Sequence, residues 1–352
     1  MIRSLRKSWI LLICVCFSLL LSCIQQDDHD YFIVGSQEQQ QELRQLYTYL
    51  DNPENSSENR FVIIQQISHI LLNLDEIDIM NLFLTTEVEK QPDDPYNAYY
   101  LYLVSQNYKN EGAYPFAVHY MERILKNHPD LIIRDNSIHH AVLNELLTFV
   151  DDPEYRVIYY KELIARFSNE IDLGVHFYFL AEAYEDTGEW DLALQAYQQY
   201  LRYPDTDVPG HPEAAEYVRN LIEFNNSSKS WTRDSLQELI NSMRYAINTR
   251  NARALEQLRA GVNFFTVFWE QDATDMNERV IFDLATVLRQ SNVRFASELD
   301  IDSNAQEAYL QTRGWAYRIR TWYLYFRKIH FPADPDINGR WEWAGIYFGD
   351  KL

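Results

Sequence analysis

The spacing of small, aromatic and helix-breaking residues between Gly174 and Pro204 constrains this chain more than any other feature. Counting from Gly174 as position 1, Ala181 falls at 8, Tyr184 at 11, Gly188 at 15, Trp190 at 17, Ala193 at 20 and Tyr197 at 24, and Pro204 closes the segment. The pattern predicts two antiparallel helices. Small residues at 8 and 20 let them cross closely, and aromatics fill the gaps between neighbouring units. Gly188 breaks the first helix, and proline stops the second because it cannot continue the hydrogen-bond ladder. The spacing recurs over Ala98–Pro129, with Ser105 at 8, Tyr108 at 11, Gly112 at 15, Tyr114 at 17, Ala117 at 20 and Met121 at 24. Between these copies, 136–167 reads as a helical pair with Asp151-Asp152-Pro153 in place of the glycine turn. Before them, 58–90 reads as another pair closing at Pro92. Pro212 to Phe224 reads as a closing helix with Ala215, Val218, Leu221 and Ile222 on one face. The array covers about residues 37–224.

The Gly174–Pro204 segment resembles the tetratricopeptide repeat family, although units here recur every 37–41 residues rather than the regular ~34. The resemblance implies a superhelix whose first helices line a concave surface at repeat positions 2, 5, 9 and 12. Those positions hold Tyr99, Tyr102, Gln106 and Lys109 in one copy and Val175, Tyr178, Glu182 and Glu185 in the other. Asn144 takes position 5 of the intervening unit. The implied groove, carried by Tyr99, Tyr102, Gln106, Asn144, Tyr178, Glu182 and Glu185, has a tyrosine floor and an acidic rim suited to a peptide or a partner helix. The alternative is that these tyrosines only pack against the next unit or a flanking domain. The Lys/Asn clamp with which some members grip a C-terminal carboxylate is missing, because Tyr102, Gln106 and Glu182 stand at the matching places. A co-receptor for chaperone tails is therefore disfavoured.

The start of the chain reads as a targeting device. Arg3, Arg6 and Lys7 precede the apolar stretch Trp9–Leu21, whose 13 residues are fewer than the roughly 20 a helix needs to span a bilayer. They fit the apolar region of a signal peptide instead. Leu20-Leu21-Ser22-Cys23 resembles the bacterial lipoprotein signal, which implies cleavage before Cys23 and acylation of Cys23, the expected anchor. An ordinary secretory signal is the alternative. Several acyl chains anchor almost permanently where one is marginal. Ile24 replaces the Asp that retains such proteins at the inner membrane, so the periplasmic leaflet of the outer membrane is expected, with the cell membrane as the alternative. The expected boundaries are a signal peptide at 1–22 and a polar tether at 23–36. All three cysteines (Cys14, Cys16 and Cys23) fall in this region, so the body offers no disulfide, thiol nucleophile or Cys-ligated zinc.

Charge divides the chain. Of the formal −21, residues 232–352 carry 15 Lys plus Arg against 16 Asp plus Glu, a net of −1, which leaves −20 for residues 1–231. So acidic a body repels phosphate backbones, and no nucleic-acid partner is expected. Asn225–Trp231 reads as a linker. Beyond it, Leu236, Leu239, Ile240, Met243 and Ile247 have helical spacing, as do Leu255, Leu258 and Val262, and 277–290 reads as a third helix. From Val293 the period shifts towards two, predicting strands over 293–303, 305–315, 318–329 and 340–349. Helices followed by antiparallel strands make a small α+β domain over 232–352. Its order and its ending, GRWEWAGIYFGD, resemble the nuclear-transport-factor-like cone family. That resemblance implies a cavity that Trp315, Trp322, Trp341 and Trp343 either line or, as core residues, stay out of. The expected fold class is therefore mainly α: a helical-hairpin superhelix followed by a small α+β domain.

No constellation for chemistry stands out. A glycine-rich phosphate loop, a GxSxG elbow and an HExxH helix are all missing from the sequence. His139 and His140, adjacent on a helix, cannot share a metal. Asp300 and Asp302 would share one face of a strand, without the glycine and downstream glutamate of a calcium loop. Catalysis would be confined to the C-terminal cavity, through carboxylates such as Asp283 or Glu298. No cofactor, no metal and no enzymatic activity are expected. The expectation is a lipid-anchored interaction scaffold with protein partners in the bacterial envelope. Tyr160-Lys161-Glu162-Leu163 before Arg166-Phe167 resembles the lipidated repeat proteins of outer-membrane barrel assembly, which lack a C-terminal domain of this kind. The alternatives are an accessory lipoprotein of a solute-binding transport system, or a ligand-binding or hydrolytic protein using the C-terminal cavity.

Overall fold

The computed structural model describes residues 29–269, 283–315 and 319–351. Cys23, the signal peptide and the first part of the tether lie outside the described residues, as does the start of the helix expected over 277–290. The chain is mainly helical, with a sheet in its last third, and divides into two compact units, Met1–Asp151 and Asp152–Leu352.

The first unit is a run of helical hairpins: α1 (Gln37–Leu50), α2 (Ser57–Asn73), α3 (Ile77–Lys90), α4 (Asn97–Asn110), α5 (Tyr114–Asn127) and α6 (Ile138–Phe149). A two-stranded ribbon, β1 (Ile132–Ile133) and β2 (Asn136–Ser137), precedes α6. Each helix packs on the next, and α4 also reaches α6. Caps set the boundaries: Ser36 caps α1 in a reciprocal box with Gln39, while Ser56 and Ser137 cap α2 and α6. Each satisfies a backbone N–H that the helix itself leaves open. Residues at the expected crossing points are sealed, Ser105 and Ala117 both at 0% exposure. Gly112 takes φ +73°, and the Ala113 N–H donates to the Tyr108 carbonyl at 2.8 Å, the left-handed helix stop that glycine favours. Residues 29–36 are packed as well. His29 stacks on Tyr47 at 4.3 Å, and Phe32 meets Phe83 edge-on at 5.8 Å.

The second unit opens with α7 (Pro153–Arg166), α8 (Leu173–Asp186), α9 (Trp190–Tyr200) and α10 (Ala214–Asn226), again packed in chain order. Ala181 and Ala193 are buried at the crossing of α8 with α9, and Gly188 repeats the helix stop, with the Glu189 N–H on the Tyr184 carbonyl at 2.8 Å. Then follow α11 (Leu236–Asn248), α12 (Ala252–Glu256), β3 (Phe265–Phe268), α13 (Leu284–Gln290), β4 (Arg294–Phe295), β5 (Glu307–Arg313), β6 (Thr321–Lys328) and β7 (Trp341–Phe348). The sheet order is β3-β7-β6-β5-β4. It is not the purely antiparallel run that the sequence suggests, because β3 joins β7 in parallel. Gly345 stands opposite Phe265 in that pairing and leaves room for its ring, since a Cβ there would lie 2.7 Å from it. The strand expected over 293–303 shrinks to two residues, and Asp300 and Asp302 sit in the turn that follows.

The α11 residues Leu239, Ile240, Met243 and Ile247 pack in one cluster with Leu324, Phe326 and Ile346 of the sheet. Trp315, Trp322, Trp341 and Trp343 belong to that core, and Trp315 stacks on Trp322 at 4.4 Å. Residues 225–231, read from composition as a linker, are packed too. Helix α10 runs through Asn226, and Trp231 is 6% exposed. The Trp231 indole N–H donates to Glu342 Oε2 at 2.7 Å, and Arg327 Nε donates to the other oxygen, also at 2.7 Å. Leu221 and Phe224 of α10 pack on Ile329, Phe331 and Ile337.

Candidate functional site

The expected groove residues fall in two places, one in each unit, and behave differently. In the first unit, Tyr99 packs edge-on against Phe61 at 5.4 Å. The Tyr102 hydroxyl donates to Glu145 Oε1 at 3.2 Å and the Gln106 amide donates to Oε2 at 2.9 Å, while Lys109 Nζ sits 3.2 Å from the same Oε2. Burial and that carboxylate push the Tyr102 hydroxyl up to about 12. Asn144 does not join them, because its amide donates to the His140 carbonyl of its own helix at 2.8 Å. Glu145 organises this face. The sequence pattern pointed one residue short of it.

In the second unit, Tyr178, Glu182 and Glu185 occupy successive turns of α8 and converge on a cavity of about 410 Å³. Tyr197 of α9, Tyr217 of α10 and the His211–Glu213 connection complete its wall. Tyr178 and Tyr197 are 3% and 1% exposed, whereas Tyr217 is 47% exposed. The Tyr178 hydroxyl and His211 Nδ1 share a hydrogen bond of 3.1 Å, and His211 Nε2 lies 3.7 Å from Glu182 Oε1. The Tyr178 ring meets Tyr197 at 5.7 Å and His211 at 5.0 Å, and Tyr197 meets Tyr217 at 6.2 Å. The approach of the His211 connection depends on Gly174, since a Cβ there would lie 2.1 Å from Thr206 Oγ1.

Burial dominates the electrostatics. It raises Glu185 to about 7 against a hydrogen bond from Tyr197, and the charges of Glu182 and Asp186 push the same way. Burial raises Glu182 too, opposed by His211 and a hydrogen bond from Tyr178. Burial and the Glu182 charge hold the Tyr178 hydroxyl well above the usual phenol range, and Tyr217 rises to about 12. The tyrosines therefore present neutral rings and hydroxyls, while the glutamates supply negative charge that a half-buried site stabilises poorly. Such a site has the chemistry to attract a cation.

Other candidates are occupied elsewhere. Asp283 caps α13, accepting from the Ala285 N–H and the Thr286 hydroxyl, which lowers its pKa. Glu298 is exposed. Asp300 and Asp302 both hold Lys351, whose ammonium lies 4.8 Å from the Trp269 ring centre. A larger hollow of about 610 Å³ over α11 and α12 has one charged side chain in its wall, Arg233. The sequence pattern named Tyr178, Glu182 and Glu185 but missed His211 and Tyr217 and used Tyr197 only as a spacer. A lone histidine between Gly210 and Pro212 carries no signal of its own. No protein-family model matches the chain, and no curated protein matches it.

Proposed function

We propose that this chain is a lipid-anchored envelope protein that works as a binding scaffold, holding a protein partner against the first-helix faces of tetratricopeptide-like hairpins. The anchor would be Cys23, at the end of an apolar stretch too short to span a bilayer. The cavity walled by Tyr178, Glu182, Glu185, Tyr197 and Tyr217 carries the reading. It is a concave, mixed aromatic and acidic site at three of the positions where such repeats engage ligands. The tyrosines stay protonated at neutral pH, while Glu185, raised to about 7, can exchange its proton near neutrality, which suits reversible charge pairing with a partner. A role in outer-membrane protein assembly fits the combination of anchor and repeats.

Two measurements test it. A photo-crosslinking residue replacing Tyr217 in the full-length chain should trap an envelope protein, whereas the same residue replacing Tyr245, 69% exposed on α11, should not. Equal trapping at both positions, or none at Tyr217, overturns the scaffold reading. Separately, Cys23→Ser should move the protein from the detergent-rich to the aqueous phase, and unchanged partitioning removes the anchor.

A further inference from the structure

We infer that the cavity between α8, α9 and α10 receives an arginine side chain projecting from the protein partner. The inference rests on the scaffold reading and adds what the partner must carry. Space comes first. About 410 Å³ lies within the ~300–1,000 Å³ range of sites that enclose small ligands, enough for an extended side chain with part of its backbone. The floor comes second. Tyr178 and Tyr197 are over nine-tenths buried, and the Tyr178 hydroxyl is tied to His211. The rings are held in place by packing before anything arrives, so little order is lost on binding.

Charge is the third observation. Glu182 and Glu185 lie one turn apart on the same wall, with Glu213 also in the lining. His211 Nε2 lies 3.7 Å from Glu182 Oε1. Arg156, whose Nη2 lies 3.1 Å from the Tyr160 hydroxyl, also acts on Glu182 by its charge but is not among the residues that line the cavity. Among the described residues Glu185 has no ion-pair partner. A half-buried carboxylate pair beside tyrosine rings lacks one thing, a cation that can lie against a ring and donate sideways. The planar guanidinium does both, with five donors in a fixed fork, whereas an ammonium is a strongly hydrated point charge. A metal ion suits the site less well, for among the described residues no group of three or more His, Asp or Glu side chains is arranged to hold one.

Binding should be coupled to a proton. The groups around Glu185 are Glu182 and Asp186 on its own helix, Tyr197, Tyr217, His211 and Glu213 across the cavity, and His330 from the loop after β6. With Glu185 held near 7, a guanidinium that favours the carboxylate expels a fraction of a proton at neutral pH. Affinity should therefore rise about tenfold between pH 6 and pH 8.

The test uses the full-length chain and two peptides, acetyl-Gly-Arg-Gly-amide and its citrulline counterpart, which keeps the shape and loses the charge. By titration calorimetry the arginine peptide should bind at least ~10-fold tighter than the citrulline peptide. Glu182→Gln and Glu185→Gln should each reduce that preference several-fold, and Glu185→Gln should also abolish proton release between buffers of different ionisation heat. Thermal melts of both variants report whether they fold. Equal affinity for the two peptides overturns the inference, as does undiminished binding by both variants or no arginine-dependent heat up to ~10 mM peptide. If arginine fails while Tyr217 still traps a protein, the scaffold stands and its partner presents another side chain. If arginine binds and Tyr217 traps nothing, the cavity is a cation site and the scaffold reading falls.

Discussion

At three matching repeat positions the two units carry Tyr102, Gln106 and Lys109 in one and Tyr178, Glu182 and Glu185 in the other. The tyrosine is common to both, and the other two positions reverse the outcome. In the first unit Lys109 and Gln106 close around Glu145, and donors balance acceptors within the chain. In the second, a carboxylate replaces the lysine, and an open cavity remains where the first unit has a closed network. The same backbone device therefore yields either a self-satisfied surface or an unsatisfied one, depending on the side chains at two positions. A charge left unpaired in a half-buried place costs stability, and an arriving ligand can recover that cost.

The largest expected effect tests the frame that holds the cavity open. Position 1 is Ala98 in the first unit, at 0% exposure, and Gly174 in the second, where Thr206 crosses too closely for a Cβ. Gly174→Val should displace the turn leading to His211 and cost about 1–3 kcal/mol, lowering the melting temperature of the second unit by about 3–10 °C. Differential scanning calorimetry reads this, and an unshifted melt means the turn yields freely. Lys109→Glu should come next. The lost ion pair with Glu145 is worth about 1 kcal/mol or less at this exposure, and a like charge takes its place. The melting shift should therefore shrink in about 1 M salt, which screens such pairs; a shift unchanged by salt would assign it to packing and undo the charge comparison.

The smallest effect sharpens the comparison from the other side. Glu185 binds its proton more tightly folded than unfolded, rising from 4.5 to about 7. The stabilisation this gives is complete below about 4.5 and is lost as pH climbs through 7. Wild type and Glu185→Gln should therefore melt alike at pH 5, and the variant should melt higher, by about 1–3 °C, at pH 8.5. A constant difference across that range would show that Glu185 is solvated and ordinary.

Helical hairpins were legible because their markers act locally. Gly112, Gly188, Asp152-Pro153 and the small residues at the crossings each set the backbone within a few residues. The cavity was half legible, since α8 spacing brings Tyr178, Glu182 and Glu185 to one face whatever surrounds them. Its other half comes from α10 and the connection before it, where no local rule places His211 beside Tyr178. The same limit explains β3. Phe265–Phe268 is four residues long and pairs with a strand some eighty positions later, so its parallel pairing depends on a distant partner rather than on its own pattern. Composition also misread 225–231: an Asn/Ser run suggests slack, yet Trp231 at its end finds Glu342.

That indole-to-carboxylate bond has a consequence for the order in which the molecule is completed. Its partners are 111 residues apart, whereas the α8–α9 hairpin closes over a few. Contacts of long sequence separation form late, because the chain between them must first be gathered. Leu221 and Phe224 therefore stay uncovered until Ile329, Phe331 and Ile337 arrive, and Trp231 until β7 is in place. A chain interrupted before residue 329 would end with helical hairpins formed and an oily flank uncovered, a surface that quality-control proteases and chaperones are built to notice. The last strand acts as a completion seal on helices that lie far ahead of it in the chain.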